Sequence, residues 1–115
     1  MTINEYQKLA MRTNDGLFDN RLYEKNNIGE LINGALGLTG EAGEVADIIK
    51  KHVFHGHGLD KDEIIKELGD VCWYVALLSH AIDIPLEDIL QRNIDKLKKR
   101  YPEGFSEENS INRVE

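Results

Sequence analysis

Apolar residues recur every three or four positions along most of this chain, which is the spacing of an amphipathic α-helix. The first such stretch begins after Thr2, a residue suited to cap a helix, and continues to about Arg12. Residues 14–27 are rich in Asn, Asp and Gly, which predicts a loop. A much longer helical stretch then runs from about Ile28 to Val53.

The second half of the chain predicts two more helices. Residues 54–58 contain two glycines and form a connector, after which Asp60 can cap a third helix that runs to about Ala81. Pro85 suits the first turn of a fourth helix, which should end near Arg100. No alternating run of β-type residues interrupts this pattern. We therefore predict an all-α fold of four main helices, with the second and third forming an antiparallel hairpin.

Glycines recur every third residue along the predicted second helix, at Gly34, Gly37, Gly40 and Gly43. Each would normally weaken a helix by ~1 kcal/mol. Their spacing places them on one side of the helix, where a second helix or a ligand could approach closely.

Four acidic residues interrupt the apolar stripes of the predicted hairpin. Glu41 and Glu44 lie on the second helix, and Glu67 and Asp70 lie on the third. Because residues three apart share a helix face, each pair projects two carboxylates in nearly one direction. Four carboxylates directed at a core repel one another and are costly to desolvate, so a positive partner is expected.

The hairpin should bring the two acidic pairs together. Glu44 lies about 12 residues before the middle of the connector and Glu67 about 11 after it, so the pairs should face each other at similar depth. Carboxylate-only sites favour hard cations, and we predict Mg²⁺, with Mn²⁺ as a substitute. A di-iron bundle would need Glu-x-x-His motifs, which are absent. The histidines at 52, 55 and 57 are more simply a solvated helix end than a zinc site.

Composition narrows the class of protein. The chain has 115 residues, and we predict one helical domain over 1–105 followed by a polar tail, extended or partly disordered, at 106–115. A formal net charge of −7 argues against binding to a nucleic acid polymer. The single cysteine, Cys72, is flanked by apolar residues and is expected to be buried. No signal peptide or membrane-spanning run is evident, so no membrane partner is expected and a cytoplasmic location is predicted.

The acidic motifs and a later segment together resemble a known family. The Glu-x-x-Glu at 41–44 and the Glu-x-x-Asp at 67–70 are separated by 22 residues. Residues 38–44 (Leu-Thr-Gly-Glu-Ala-Gly-Glu) and 93–102 (Asn-Ile-Asp-Lys-Leu-Lys-Lys-Arg-Tyr-Pro) add to the match. This pattern resembles the MazG-like all-α nucleoside triphosphate pyrophosphohydrolases, relatives of helical dUTPases and dCTP pyrophosphatases. The resemblance covers roughly residues 3–105.

That resemblance implies hydrolysis of a nucleoside triphosphate to a monophosphate and pyrophosphate, with nucleotide-pool house-cleaning as the role. Glu41, Glu44, Glu67 and Asp70 would be the metal ligands and catalytic residues, and one of them would also orient or deprotonate the attacking water. The base and sugar preferred are left open, and selectivity would reside around Asn33 and the loop at 14–27.

Further residues are candidates for substrate binding. Asn93, Lys96 and Arg100 share one face of the fourth helix and could contact phosphates, although a solvated basic helix end would look the same. Lys50 and Tyr101 are weaker candidates for the same role. By the resemblance, Asn33 would contact the base. Asp47 could be an outer-shell or a solvated acid, and Trp73 and Tyr74 are expected to pack in the core or at a subunit interface rather than against a base.

The family builds its active units from dimers, sometimes paired into tetramers, so the resemblance implies a homodimer or homotetramer. Two other classes of function compete with the enzyme. One is a non-catalytic helical regulatory module that binds metal and nucleotide. The other is a structural bundle whose acids are neutralised by Lys and Arg.

Overall fold

The computed structural model describes residues 1–14 and 28–114, and within them every regular element is a helix. The elements are α1 (Ile3–Ala10), a single 3₁₀ turn (Met11–Thr13), α2 (Ile28–Phe54), α3 (Lys61–Ala81), α4 (Leu86–Arg100) and α5 (Glu107–Ile111). The all-α prediction is confirmed, and the four main helices end within about two residues of their predicted bounds. The loop predicted at 14–27 falls, apart from its first residue, outside the described residues.

Capping side chains start the helices where the sequence places them. Thr2 accepts a hydrogen bond from the backbone N–H of Glu5, and the Glu5 carboxylate accepts one from the N–H of Thr2, which forms a complete capping box. Asp60 caps α3 by accepting from the N–H of Glu63 at 3.1 Å. These caps satisfy N–H groups that have no partner within the helix.

Helices α2 and α3 pack closely against each other as the predicted hairpin, joined by residues 55–60. Two of the four regularly spaced glycines on α2 make this packing possible. A Cβ at Gly34 would lie 2.6 Å from Leu78 Cδ2, and a Cβ at Gly37 would lie within 2.5 Å of three ring atoms of Tyr74. Gly40 and Gly43 have nothing within 4 Å of such a Cβ, so this half of the glycine stripe is open.

Gln7 fastens α1 to the turn between α3 and α4. Its Nε2 donates to the Ala76 carbonyl at 3.3 Å and to Ser79 Oγ at 3.2 Å, and its Oε1 accepts from the N–H of Leu86 at 2.9 Å. Ser79 itself donates to the carbonyl of Ile84. One amide side chain therefore holds three parts of the fold together next to its most buried residues.

The two ends of segment 15–27 are joined by a side-chain hydrogen bond. Asn14 Nδ2 donates to Glu30 Oε2 at 3.1 Å, and His80 Nε2 lies 3.6 Å from the same oxygen. Glu30 is only 5% exposed, so its carboxylate needs polar partners, and Asn14 and His80 are two of them.

Two local expectations are wrong. The C-terminal tail is not simply extended, because Ser106 caps the short helix α5 by accepting from the N–H of Asn109. Cys72 is exposed rather than buried. Among the described residues, no helix combines the length and apolar character needed to cross a membrane.

Candidate metal centre

Three carboxylates from the two helices of the hairpin meet at one place. Glu41 on α2 and Glu67 and Asp70 on α3 each offer a carboxylate oxygen, and these oxygens lie within 4.8 Å of one another. We call these three residues the acidic cluster. Glu44, the fourth predicted ligand, is exposed one turn further along α2 and does not belong to this cluster. The hairpin thus brings together three of the four predicted acids.

The acidic cluster lies on an open surface and not in a core. Glu41 and Glu67 are half-buried and Asp70 is exposed. The expectation that the acids continue a buried apolar stripe is therefore wrong for the single chain, since the neighbouring Leu68 is itself 48% exposed. A site of this kind is accessible to a ligand from solvent.

The contact between Glu41 and Glu67 affects the pKa of Glu67. A hydrogen bond to Glu41, which requires a proton on one of the two carboxyls, raises the pKa of Glu67 above its ordinary value. Partial desolvation and the negative charges of Glu41 and Asp70 act in the same direction. A cation at this position would remove the need for the proton.

Basic side chains neutralise a different acid. Asp47 on α2 pairs with Lys51 at 2.9 Å and with Lys50 at 3.3 Å, and hydrogen bonds from these two lysines lower the pKa of Asp47. In the part of the chain that the structure describes, no Lys or Arg pairs with the acidic cluster. Three uncompensated carboxylate oxygens suit a hard divalent cation.

A cleft of about 360 Å³ opens beside the acidic cluster. It is lined by Glu41, Asp70, Thr13, Trp73 and Tyr74. The two aromatic rings meet edge to face, with centroids 5.1 Å apart and planes at 84°. Both rings are half-buried, and they line the cleft next to the acids.

Sequence reasoning did not assign Thr13, Trp73 and Tyr74 to a site. Trp73 and Tyr74 follow Asp70 by three and four residues, so helical spacing alone places them on the same face as that acid. Thr13 carries no comparable pattern, because only the packing of α1 on α3 brings it here. Tyr6 of α1 is also close, since burial, and then the charges of Cys72 and Asp70, raise the pKa of its phenol.

The predicted substrate residues on α2 lie outside this cleft. Asn33 is half-buried one turn before Gly37 and is not among the lining residues. Lys50 is exposed and held by Asp47. Their roles in binding stay predictions.

The predicted substrate residues on α4 also lie outside the cleft. Asn93 and Lys96 are exposed, and Arg100 is half-buried. Tyr101 stacks at a tilt on Phe105, with ring centroids 5.3 Å apart, and lines an apolar pocket with Ile94 and Leu97. No residue of α4 lines the cleft, so phosphate contact by this helix also stays a prediction.

Comparison with known proteins identifies a family. The family model for the MazG nucleotide pyrophosphohydrolase domain matches residues 32–105, which include the whole acidic cluster. The Gene 37 protein of Mycobacterium phage L5 is 40% identical over 82 residues, covering 68% of this chain and 72% of the phage protein. The uncharacterized protein YvdC of Bacillus subtilis strain 168 is 32% identical over 73 residues, covering 56% of this chain and 69% of that protein. No solved structure gives a significant match.

The domain match covers well over half of the chain, and the helical hairpin carries the acids that the resemblance requires. Proteins of this family are typically dependent on a divalent metal. The chain therefore belongs to the MazG nucleotide pyrophosphohydrolase family.

Proposed function

We propose that this protein is a Mg²⁺-dependent nucleoside triphosphate pyrophosphohydrolase, with Mn²⁺ as an acceptable substitute. The observation that carries the proposal is the acidic cluster, in which three carboxylate oxygens lie within 4.8 Å of one another with no basic partner among the described residues. Repulsion among these carboxylates destabilises the folded protein unless a bound cation offsets it.

The reaction adds water across one phosphoanhydride bond. Water attacks the α-phosphorus, the bond to the bridging oxygen breaks, and pyrophosphate leaves, which yields a nucleoside monophosphate. Glu41, Glu67 and Asp70 would hold the cation, and the resemblance adds Glu44, one turn further along α2, to this set. A bound Mg²⁺ supplies charge neutralisation at phosphate oxygens and lowers the pKa of water. One glutamate of this set is the candidate acceptor for the proton of the water.

The biological role that fits a family of this activity is removal of unwanted nucleoside triphosphates from the nucleotide pool. The same site could instead serve a regulatory module that binds nucleotide without turnover. The structure gives less support to a purely structural bundle, because the described acids of the cluster are not neutralised by lysine or arginine as Asp47 is.

The test is release of pyrophosphate from a panel of canonical, deoxy- and modified nucleoside triphosphates with Mg²⁺. Glu41→Gln and Asp70→Asn should each lower the rate by at least about 100-fold, since loss of an outer-shell partner alone costs 10–100-fold. Glu63→Gln is the matched control, because Glu63 lies on α3 one turn before Glu67 and pairs with Lys66 instead. Nucleotide binding without pyrophosphate release would support the regulatory module, and full activity in both cluster variants would contradict the metal assignment.

We also propose that the active form is a homodimer or homotetramer. Among the described residues only four apolar side chains are buried, whereas Leu36 on α2 is 71% exposed and Ile65 on α3 is 65% exposed. The radius of gyration is 17.5 Å, against about 13 Å for a compact chain of this length. A second copy could cover the exposed hairpin face and complete the substrate pocket with residues of α4. Light scattering should give a multiple of 13.1 kDa, and a monomer mass at concentrations that support activity would refute this assembly.

A further inference from the structure

The end of the N-terminal helix reaches the acidic cluster although the family match begins only at residue 32. Thr13, in the 3₁₀ turn after α1, lines the same cleft as Glu41 and Asp70. The residues that complete this cleft therefore include one that lies outside the matched range. The contact between Thr13 and α3 is built from hydrogen bonds.

Trp73 makes this connection with its only polar atom. Its Nε1 donates to the carbonyl of Ala10 at 2.9 Å and to Thr13 Oγ1 at 2.8 Å. Thr13 Oγ1 in turn donates to the Ala10 carbonyl at 2.9 Å. That carbonyl belongs to the last residue of α1, where helix carbonyls lack partners within the helix. The indole N–H, the threonine hydroxyl and the Ala10 carbonyl are thus all hydrogen-bonded to one another, one turn of α3 beyond Asp70.

These hydrogen bonds determine which polar groups Thr13 and Trp73 can offer to a ligand in the cleft. The indole N–H and the threonine hydroxyl proton are both used within the protein, so neither is free to donate to a nucleobase. Thr13, Trp73 and Tyr74 line the cleft together with Glu41 and Asp70. The Trp73 indole can therefore recognise a flat ring by stacking, which every base provides, and not by a hydrogen bond from its N–H.

We propose that the 3₁₀ turn Met11–Thr13 is one wall of the binding cleft for the nucleoside, and that Trp73 and Thr13 are positioning residues that hold this wall beside Asp70. The inference rests on the proposed function, in which the phosphates lie at the acidic cluster. The nucleoside then extends into the adjoining cleft. The hydrogen bonds among Trp73, Thr13 and the Ala10 carbonyl form the tie that holds this wall. Loss of the tie loosens the wall and weakens binding of all bases to a similar degree, while the acids that perform the chemistry are untouched.

The kinetic test uses two variants that break the tie and two controls. Thr13→Val keeps the shape but removes the hydroxyl, and Trp73→Phe keeps an aromatic ring but removes the N–H. Each should raise KM about fivefold, equivalent to ~1 kcal/mol or one hydrogen bond, with kcat changed less than about twofold. Thr13→Ser should restore the wild-type KM. Asn4→Ala breaks another hydrogen bond of α1, to Glu87 at 2.8 Å and away from the cleft, and should leave KM unchanged.

A binding measurement separates this inference from the proposed function. Trp73 is the only tryptophan, so its fluorescence reports on the cleft without turnover. A nucleoside triphosphate analogue that cannot be cleaved between the α- and β-phosphates should change the emission and bind Thr13→Val about fivefold more weakly. Pyrophosphate should bind both proteins equally.

The outcomes are distinct. Absence of pyrophosphate release by the wild-type protein refutes the proposed function, and the analogue titration then decides the inference by itself. Equal analogue affinity in the wild-type and Thr13→Val proteins overturns the inference. A lowered melting temperature with unchanged KM in both tie-breaking variants also overturns it, since the hydrogen bonds would then be only structural.

Discussion

Replacing Gly37 with alanine is expected to destabilise the protein even though alanine is the better helix former. The added Cβ would lie within 2.5 Å of three ring atoms of Tyr74, and a ring cannot yield as the end of a flexible chain can. Overpacking of this kind costs about 1–3 kcal/mol, and overlap with three ring atoms places Gly37→Ala in the upper part of that range, at about 2–3 kcal/mol. The gain from removing a mid-helix glycine is only about 0.5–1 kcal/mol, so a net loss of about 1–2 kcal/mol is expected.

The thermal shift follows from chain length. At roughly 2.1 cal/mol/K of unfolding entropy per residue, 115 residues give about 0.24 kcal/mol/K, so each 1 kcal/mol moves the melting temperature by about 4 °C. Gly37→Ala should therefore melt about 4–8 °C lower in differential scanning calorimetry. Gly40→Ala is the matched control, one turn along the same helix with nothing within 4 Å, and should melt about 2–4 °C higher.

A double-mutant cycle identifies the cause. In a Tyr74→Ala background the space beside Gly37 is empty, so Gly37→Ala should become stabilising, with a coupling of about 2–3 kcal/mol between the two sites. Equal melting temperatures for Gly37→Ala and Gly40→Ala would refute the reasoning, because the Tyr74 ring would then move aside at no cost.

Three further predictions concern the acidic cluster, the hydrogen bonds of Gln7 and the N-terminal cap of α3. The pKa of Glu67 is raised in the folded, metal-free protein, so its protonated carboxyl contributes stability that is fully present at pH values below the ordinary pKa and is lost as pH rises through the raised one. In melts from pH 4 to 7 the wild type should therefore lose stability relative to Glu67→Gln as pH rises, and saturating Mg²⁺ should abolish that loss. A pH-independent difference would contradict this reasoning. Gln7→Leu removes three hydrogen bonds and leaves the buried N–H of Leu86 unpaired, so urea unfolding should show a loss of about 2–3 kcal/mol, whereas a loss below 1 would mean that water replaces the amide. Asp60→Ala should cost about 1 kcal/mol and Asp60→Ser almost nothing, and equal losses would exclude capping as the cause.

The helices and the acidic hairpin could be predicted from sequence because their determinants are local. Apolar spacing, the caps at Thr2 and Asp60, and the distance of Glu41 and Asp70 from the connector all act within a few turns of chain. Burial could not be predicted in this way. The spacing of the acids shows which face they share, but whether that face is covered depends on what packs against it.

The cleft shows the same limit more clearly. Trp73 could have been placed beside Asp70 by counting residues, yet its aromatic character argues equally for a core. Thr13 enters the cleft only through long-range packing, since its partner Trp73 lies 60 residues away. Gly37 and Gly40 are equivalent in the repeat, and only the tertiary position of Tyr74 makes one of them indispensable and the other replaceable.

The hydrogen bond between Asn14 and Glu30 has a consequence for how this architecture can vary among relatives. It fixes the separation at which the chain enters and leaves segment 15–27, independently of how many residues lie between. The entropy of closing a chain segment grows only with the logarithm of its length, about 0.6 kcal/mol for each doubling. Insertions and deletions in this segment therefore have a small energetic effect on the helices that hold the acids. Length variation here would leave the hairpin that carries the acidic cluster unchanged.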